Sequence, residues 1–409
     1  MANPQLIGDR IAYYRKRLGL SQVEFAGLIG RSDSWVSQVE RGARAIDRMS
    51  VLQKVADVLS VSVGELSGDE RDDQTVTIAE RPEAFEGLRL TLTGHPAIGA
   101  LLGASKPRIT AARIDELREL HKQVWPMVHA SRYAELAPLI SSLLPGLERA
   151  ARAAEDVDET RSIRGLLSNT YQAVAAVMAK LGEADAAWVA ADRAAFTAET
   201  VGDPLAVAAS LFRMSHAFLS LGQLAQAQEV ASATVKGLEQ RAAKEPTPEV
   251  LSLFGAFHLV LAMAAAREND RQQTNKHLDQ AREIATSIGE DRNDFDTEFG
   301  PTNVALHAVS AAVELGDAGH ALDLARDIEP EGLSTERQAR YNIDLAQAYA
   351  MRRQTGEALR CLQKAEQLTP EQTRTHRVAR AVARDLVQLS GSRPRPELRE
   401  LAERFGVLP

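Results

Sequence analysis

A single cysteine among 409 residues, Cys361, leaves no intrachain disulfide and no cysteine-rich metal site to staple the fold, so the chain must hold itself by packing. Aromatic residues make up only 5% of the chain. Alternating β-branched runs, the mark of half-buried strands, are scarce. The nine histidines are scattered without metal-ligand spacing, and no HExxH, GxSxG, Walker loop or post-strand GxGxxG occurs. No catalytic residue, metal or cofactor is therefore expected, and the chain reads as a non-enzyme. No stretch approaches the ~20 apolar residues of a spanning helix, and MANPQLIGDR lacks the basic and long apolar regions of a signal peptide. A cytoplasmic protein with no membrane partner is the expectation. Excess basic charge is missing too: the net charge of −8 excludes a broad nucleic-acid coat, which needs many cations to release counterions.

What remains is alanine and leucine recurring at helical spacing, with 44% hydrophobic and 25% charged residues, enough for two or three helical cores. The most informative stretch is Ser21 to Gly42, SQVEFAGLIGRSDSWVSQVERG. Ser21 with Glu24 three residues on makes a capping box, and Phe25, Ala26, Leu28 and Ile29 give the following helix a core face. Gly30 can take the positive φ of a sharp turn, Ser32 caps a second helix with apolar Trp35, Val36 and Val39, and Gly42 ends it. Asp33, Ser34, Ser37 and Gln38 are left pointing outwards. A short helix entering a major groove N-terminus first would carry these four towards base edges.

This run resembles the helix-turn-helix of the Xre family, the lambda repressor and Cro type, in its LGLSQ opening, small Ala26, turn Gly30 and VSQVERG close, over roughly Ile7 to Leu66. The resemblance implies a five-helix domain in which Gln22 holds a phosphate and Ser34, Ser37 and Gln38 read bases. Asp33 departs from the usual pattern, and either accepts from a cytosine amino group or caps the helix. Glu40 matches a family glutamate that pairs with a first-helix arginine, here Arg15. Ser32, Arg15, Arg41 and Arg44 are placed to grip phosphates. Trp35 is expected to pack rather than touch a thymine methyl. Residues 1–66 carry nine Lys and Arg against seven Asp and Glu, so the body is strongly acidic.

Residues 67–84 include SGDERDDQTVTIAERP, acidic and without apolar period, and read as a linker with TVTI as coil or a short strand. Residues 85–409 read as an array of helix pairs. In RQARYNIDLAQAYAMRRQTGEALRCLQKAEQLTP, Leu345, Ala346, Tyr349, Ala358, Ala365 and Pro370 look like a tetratricopeptide repeat. The small residue of the second helix recurs at Ala187, Ala227, Thr274, Ala321 and Ala358, spaced 40, 47, 47 and 37 residues apart, longer than the ideal of about 34. The extra length falls chiefly at turns near Gly202, Pro246 and Gly300. A further pair, Ala112 to Val128 and Tyr133 to Ala154, is expected to begin the array, and Pro370 to Leu389 with Glu397 to Phe405 to cap it.

Stacking such pairs makes a superhelix with a concave wall. The repeat register puts Asn169, Gln172, Phe212, Arg213, His216, Leu259, Met263, Asn303, Leu306, His307, Arg340, Ile343 and Gln347 on that wall. Amides can bond both groups of an extended peptide and arginine can pin a carboxylate. Phe212, Met263, Leu306 and Ile343 need covering by a ligand, another chain or the cap. The domain order resembles bacterial peptide-sensing regulators, and TEFGPTNVALH looks like actinobacterial regulators of development or secondary metabolism. That implies a homodimer on a double-stranded DNA operator, sensing a peptide or small molecule; the other reading is a DNA-tethered adaptor whose repeats bind a partner protein.

Overall fold

The computed structural model describes residues 4–46, 49–59, 61, 66, 87–89, 91–92, 110–390 and 395–408. Within them the chain is all-α: a small N-terminal bundle followed by an array of antiparallel helix pairs. The bundle comprises α1 (Pro4–Arg17), α2 (Gln22–Ile29), α3 (Asp33–Glu40) and α4 (Met49–Leu59). Val61 and Leu66 apart, the expected fifth helix lies outside the described residues, as do the linker 67–84 and TVTI.

Local chemistry dictates the bundle's boundaries. Ser21 accepts from the Glu24 amide while Glu24 accepts from the Ser21 amide, a complete capping box; Gly30 closes α2 in the left-handed region at φ 69°, and Ser32 caps α3 through the Trp35 amide. Ile11, Phe25, Ala26, Ile29, Val36, Val39, Leu52, Val55, Ala56 and Leu59 form the core. Gly8 permits close crossing of α1 and α3, because a Cβ there would stand 2.2 Å from the Val39 carbonyl oxygen. One assignment is overturned: Leu28 is 54% exposed and does not belong to the core face. In a helix of only eight residues, Phe25, Ala26 and Ile29 already span the buried stripe, and Leu28 falls beside it with Val23.

The array begins with α5 (Ala111–Lys122), α6 (Val124–His129) and α7 (Tyr133–Ala153). The single helix expected over Ala112 to Val128 is thus broken at Gln123, where Pro126 has no N–H to give the Lys122 carbonyl. Five pairs follow: α8 (Val157–Lys180) with α9 (Ala184–Val201), α10 (Pro204–Ser220) with α11 (Leu224–Ala242), α12 (Pro248–Arg267) with α13 (Arg271–Ile288), α14 (Pro301–Glu314) with α15 (Ala318–Leu324), and α16 (Thr335–Met351) with α17 (Thr355–Leu368). Within every pair the turn residue is left-handed: Gly182, Gly222, Asn269, Gly316 and Arg353. The second helix starts two residues later, and its fourth residue is Ala187, Ala227, Thr274, Ala321 or Ala358, each with no exposed surface. A small side chain there lets the two backbones approach.

α12 corrects an expectation. It is 20 residues long and contains an 18-residue stretch of mean hydropathy 1.8, long and apolar enough by composition to cross a membrane, but 83% of that stretch is buried between its neighbours. The cap consists of α18 (Pro370–Thr375), α19 (Arg377–Leu389) and α20 (Pro396–Arg404). It too is broken where one helix was expected, because His376 is extended and its ring accepts from the Ala379 amide to start α19. Ile343 is covered by this cap, among Val382, Leu386, Leu398, Leu401 and Phe405. Cys361 packs at the edge of the same cluster.

Two long-range contacts shape the whole. The first pair is clasped to the cap: Ser131 Oγ and Tyr133 Oη donate to Gln372 Oε1 at 2.8 and 3.1 Å, and the Ala134 amide donates to Glu371. Lys180 pairs with Glu336 at 3.2 Å beside them. The N-terminal bundle docks on the last pair and cap. Arg17 pairs with Asp385 at 3.2 Å, Gln347 Nε2 donates to Tyr13 Oη at 3.4 Å, and Gly19 sits so close that a Cβ would stand 2.8 Å from the Met351 carbonyl oxygen.

Candidate DNA-binding face and inner groove

α3 presents one polar face. Asp33 and Ser34 are exposed, Ser37 and Gln38 half-buried, and Arg41 and Arg44 are exposed just beyond its end. Asp33 Oδ1 accepts from the Ser34 amide at 2.8 Å, so its carboxylate is turned onto the helix start, and Arg41 Nε donates to the Ser37 carbonyl. Ser32 spends its hydroxyl as the N-cap at the exposed end of the helix. Trp35 is half-buried against the core with the Arg31 guanidinium 5.5 Å over its ring.

Behind this face lies the brace. Arg15 Nε and Nη2 donate to the two Glu40 carboxylate oxygens at 2.5 and 2.9 Å, Arg15 Nη1 donates to the Leu20 carbonyl, and Gln22 Nε2 donates to Glu40 at 2.8 Å. Arg15 is only 8% exposed and so is not presented as a phosphate grip, which corrects that part of its expected role. Gln22 stays half-buried with its amide turned to Glu40.

The expected concave-wall residues do not share one surface. Phe212, His216, Met263, Asn303 and His307, with Leu259, line a cavity with room for about one water, ≈ 10 Å³. Gln172 does not face it: its amide donates to Ser210 Oγ at 3.2 Å and ties α8 to α10. Leu306 is packed among Val309, Val313, Tyr341 and Met351. At the far end Arg340 meets His376 at 2.6 Å and Gln347 reaches Tyr13 of the bundle, so these two serve the cap and the docking contact. Asn169 accepts from Trp125 Nε1 and lies 2.9 Å from His121, fastening α8 to the first pair.

What covers Phe212 and Met263 is the chain itself. The long turn between α13 and α14 folds inwards, closed by the Arg292 amide donating to the Phe299 carbonyl at 2.9 Å. Phe299 is fully buried against Gly255 of α12, where a Cβ would stand 1.9 Å from Phe299 Cζ. Arg213 Nη2 donates to the Phe295 and Asp296 carbonyls, both at 2.9 Å, while its guanidinium lies 4.8 Å over Trp125. His129 meets Asp296 at 3.1 Å and Glu298 at 3.5 Å. Glu298 also accepts from the Ser334 amide and hydroxyl, both at 2.8 Å, and lies 3.5 Å from Arg337 Nε. Asn303 Nδ2 donates to the Glu298 carbonyl.

Burial and neighbouring charges shift the titratable groups of the interior. Burial, then Arg337 and Arg213, hold the His216 imidazole well below its ordinary value, and burial with Arg337 pushes His307 down to about 4. Burial pushes even Arg213 down to about 10. His129 goes the other way: burial alone would lower it, but hydrogen bonds to Asp296 and Glu298 outweigh that and raise it. Burial would likewise raise Glu298, yet His129 and Arg337 bring it down to about 2. His129, Trp125, Arg337 and the inward segment were missed from sequence; the available signal was DFDTEF, acids alternating with aromatic and polar residues inside an overlong turn.

The Helix-turn-helix domain family matches residues 6–68. The HTH-type transcriptional regulator SinR of Bacillus subtilis is 36% identical over 69 residues, 17% of this chain, and the chain spans 62% of that relative's length. SinR of Bacillus licheniformis is 40% identical over 83 residues, 20% of this chain and 73% of the relative. An uncharacterized HTH-type transcriptional regulator of B. subtilis, YazB, is 37% identical over 67 residues, 16% of this chain and 96% of the relative. The crystal structure of Bacillus thuringiensis PlcR in complex with the peptide PapR7 and DNA matches over 92% of this chain and 99% of its own, at 12% identity. Its TM-score of 0.30 is too low to bear on fold or ligand.

Proposed function

The chain belongs to the HTH-type transcriptional regulators, and from that premise we propose that it is a cytoplasmic, dimeric, sequence-specific regulator whose tetratricopeptide-like array senses a peptide or small molecule. Residues 1–66 bind operator DNA, 67–84 link, and 85–409 sense and dimerise. The observation that carries this reading is the exposed edge of α3, with Asp33, Ser34, Ser37 and Gln38 on one face and Arg41 and Arg44 at its end, held by the buried Arg15–Glu40 pair. Base-reading side chains demand a rigid support, and a bidentate arginine–carboxylate pair provides one. The modest positive charge of the bundle leaves little nonspecific affinity, so two copies on adjacent half-sites would supply what one cannot.

The route from sensing to DNA is supported by α16. Its start faces the groove through Ser334 and Arg337, and its later turns touch the bundle through Gln347 and Met351. Selection of binding sites from a random duplex pool tests the DNA assignment. Gln38→Ala should relax preference at one or two positions by about 1–3 kcal/mol while leaving random-duplex affinity intact. Equal loss on selected and random DNA would remove α3 from the reading role. Low-mass cell extract should then shift affinity for the selected duplex; a shift only with a co-purifying protein would make the array an adaptor.

A further inference from the structure

We propose that Asn293–Glu298 is a removable occupant of the inner groove, standing where an acidic peptide effector binds: the ligand's carboxylates and main-chain carbonyls would replace the segment's on His129, Arg213 and Arg337. The inference rests on the groove being the sensing site and names the ligand's chemistry.

Three observations carry it. First, the segment is held as a bound peptide is held. One arginine nitrogen takes two successive main-chain carbonyls, and two carboxylates are met by a histidine, an arginine and a helix N-cap, on partners from α6, α10 and the start of α16. Second, its backbone is not at rest: Phe295, Asp296 and Glu298 hold φ of 52°, 57° and 52°. A non-glycine residue in that region costs roughly 1–2 kcal/mol, so the partners impose the conformation and release relieves it. Third, the receptor offers more than the segment uses. The Arg213 Nε and Asn303 Oδ1 atoms are buried without a hydrogen-bond partner, on residues only 6% and 2% exposed, and Asn303 borders the residual cavity.

An acidic ligand suits this receptor, since the basic groups facing the segment are Arg213, Arg337 and His129, and Asp296 and Glu298 are the segment's acids that meet them, beside Glu336, which is paired with Lys180. Exchange would free the start of α16. Its contact with Tyr13 lies 13 residues further on, about 20 Å along the helix axis.

The probe is a fluorescent, end-capped synthetic peptide of the segment's own sequence, Asn-Asp-Phe-Asp-Thr-Glu-Phe, added to the full chain without DNA. In wild type the tethered segment competes, so affinity should be low. In an Asp296→Asn/Glu298→Gln chain the competitor is weakened and the probe should bind at least about ten-fold tighter, because more of the groove is vacant. A control peptide with asparagine and glutamine in place of its acids should bind neither. Equal affinity for both chains, no binding to either, or equal binding of the control peptide overturns the proposal. So does displacement of the probe by free aspartate or glutamate as efficiently as by unlabelled peptide, which would make the ligand a small carboxylate. Hydrogen exchange on the wild-type chain is an independent check that needs no variant. Amides of 293–299 should exchange through an opening that leaves α12 and α14 protected, and exchange only with global unfolding overturns removability. None of these readouts involves an operator, so their failure leaves the DNA assignment standing and failure of the DNA experiment leaves these intact.

Discussion

Gly255→Ala is expected to change the sign of its effect according to what stands at residue 299. A methyl group at Gly255 would lie 1.9 Å from Cζ and 2.5 Å from both Cε atoms of a phenyl ring with no exposed surface, so the ring must leave its seat. Losing a buried phenylalanine's packing costs about 3–5 kcal/mol, and replacing glycine by alanine inside a helix returns about 1 kcal/mol of helix propensity. Gly255→Ala alone should therefore destabilise the array by about 2–4 kcal/mol. Phe299→Ala alone should cost about 3–5 kcal/mol. In the Phe299→Ala background the new methyl enters vacated space, and Gly255→Ala should stabilise by about 1 kcal/mol. Urea unfolding of the four full-length chains, followed by far-UV circular dichroism, closes the cycle and gives a coupling of several kcal/mol. If the two substitutions add within about 0.5 kcal/mol, or Gly255→Ala destabilises both backgrounds alike, the ring is not seated on α12 and the inward fold of the segment is wrong.

Three further outcomes are expected. Arg15→Ala should destabilise the N-terminal bundle by about 3–5 kcal/mol by stranding the buried Glu40 carboxylate, and thermal unfolding of the bundle would show much less loss for Arg41→Ala. Arg41→Ala should instead weaken all duplexes alike and flatten the salt dependence of binding by about one unit, read from affinity against salt concentration; an unchanged slope would place Arg41 away from phosphate. Acid should loosen the array. His216, His307 and His376 are held neutral by burial and by Arg337, Arg213, Arg267, Arg340 and Arg377, with Glu336 opposing, so the unfolded chain binds protons that the folded chain refuses. Their contribution is complete above about pH 6.5 and is lost as pH falls below it, for His307 down to about 4, by up to about 1.4 kcal/mol per pH unit for each. His307→Gln should make stability less steep in that window. His129 runs opposite, contributing below its ordinary value and losing its contribution as pH rises through its raised one.

What could be read from sequence was what depends on neighbours a few residues away. The Ser21–Glu24 capping box, the left-handed Gly30 and the Ser32 cap are chemistry within one turn, and they stand where the residues place them. Ala187, Ala227, Thr274, Ala321 and Ala358 were legible because repetition averages out the ambiguity of any one alanine or threonine. Leu28 was misjudged because an apolar residue beside a narrow buried stripe carries no mark of its own. Gln172 and Gln347 occupy the expected helices, but their side chains answer to Ser210 and Tyr13, at separations of 38 and 334 residues. The inward turn was hidden for the same reason. An overlong connection reads as surface until Gly255 is known to leave a ring-sized gap, and nothing local announces that pairing.

The clasp between Tyr133 and Gln372 makes the array a closed linkage instead of an open spring. In an open stack a change of pitch at one junction is passed to the free end as a small rotation, and the response is graded. In a loop whose ends are fastened, rotations around the circuit must cancel, so a change at one joint is either resisted by all the others or unfastens the clasp. Such a linkage stores a disturbance until it yields at one place, and the bundle carrying α3 is bolted to the arc next to that place. If an effector enters the groove as proposed, the response expected of such a linkage is a threshold, with the bundle moving in one step.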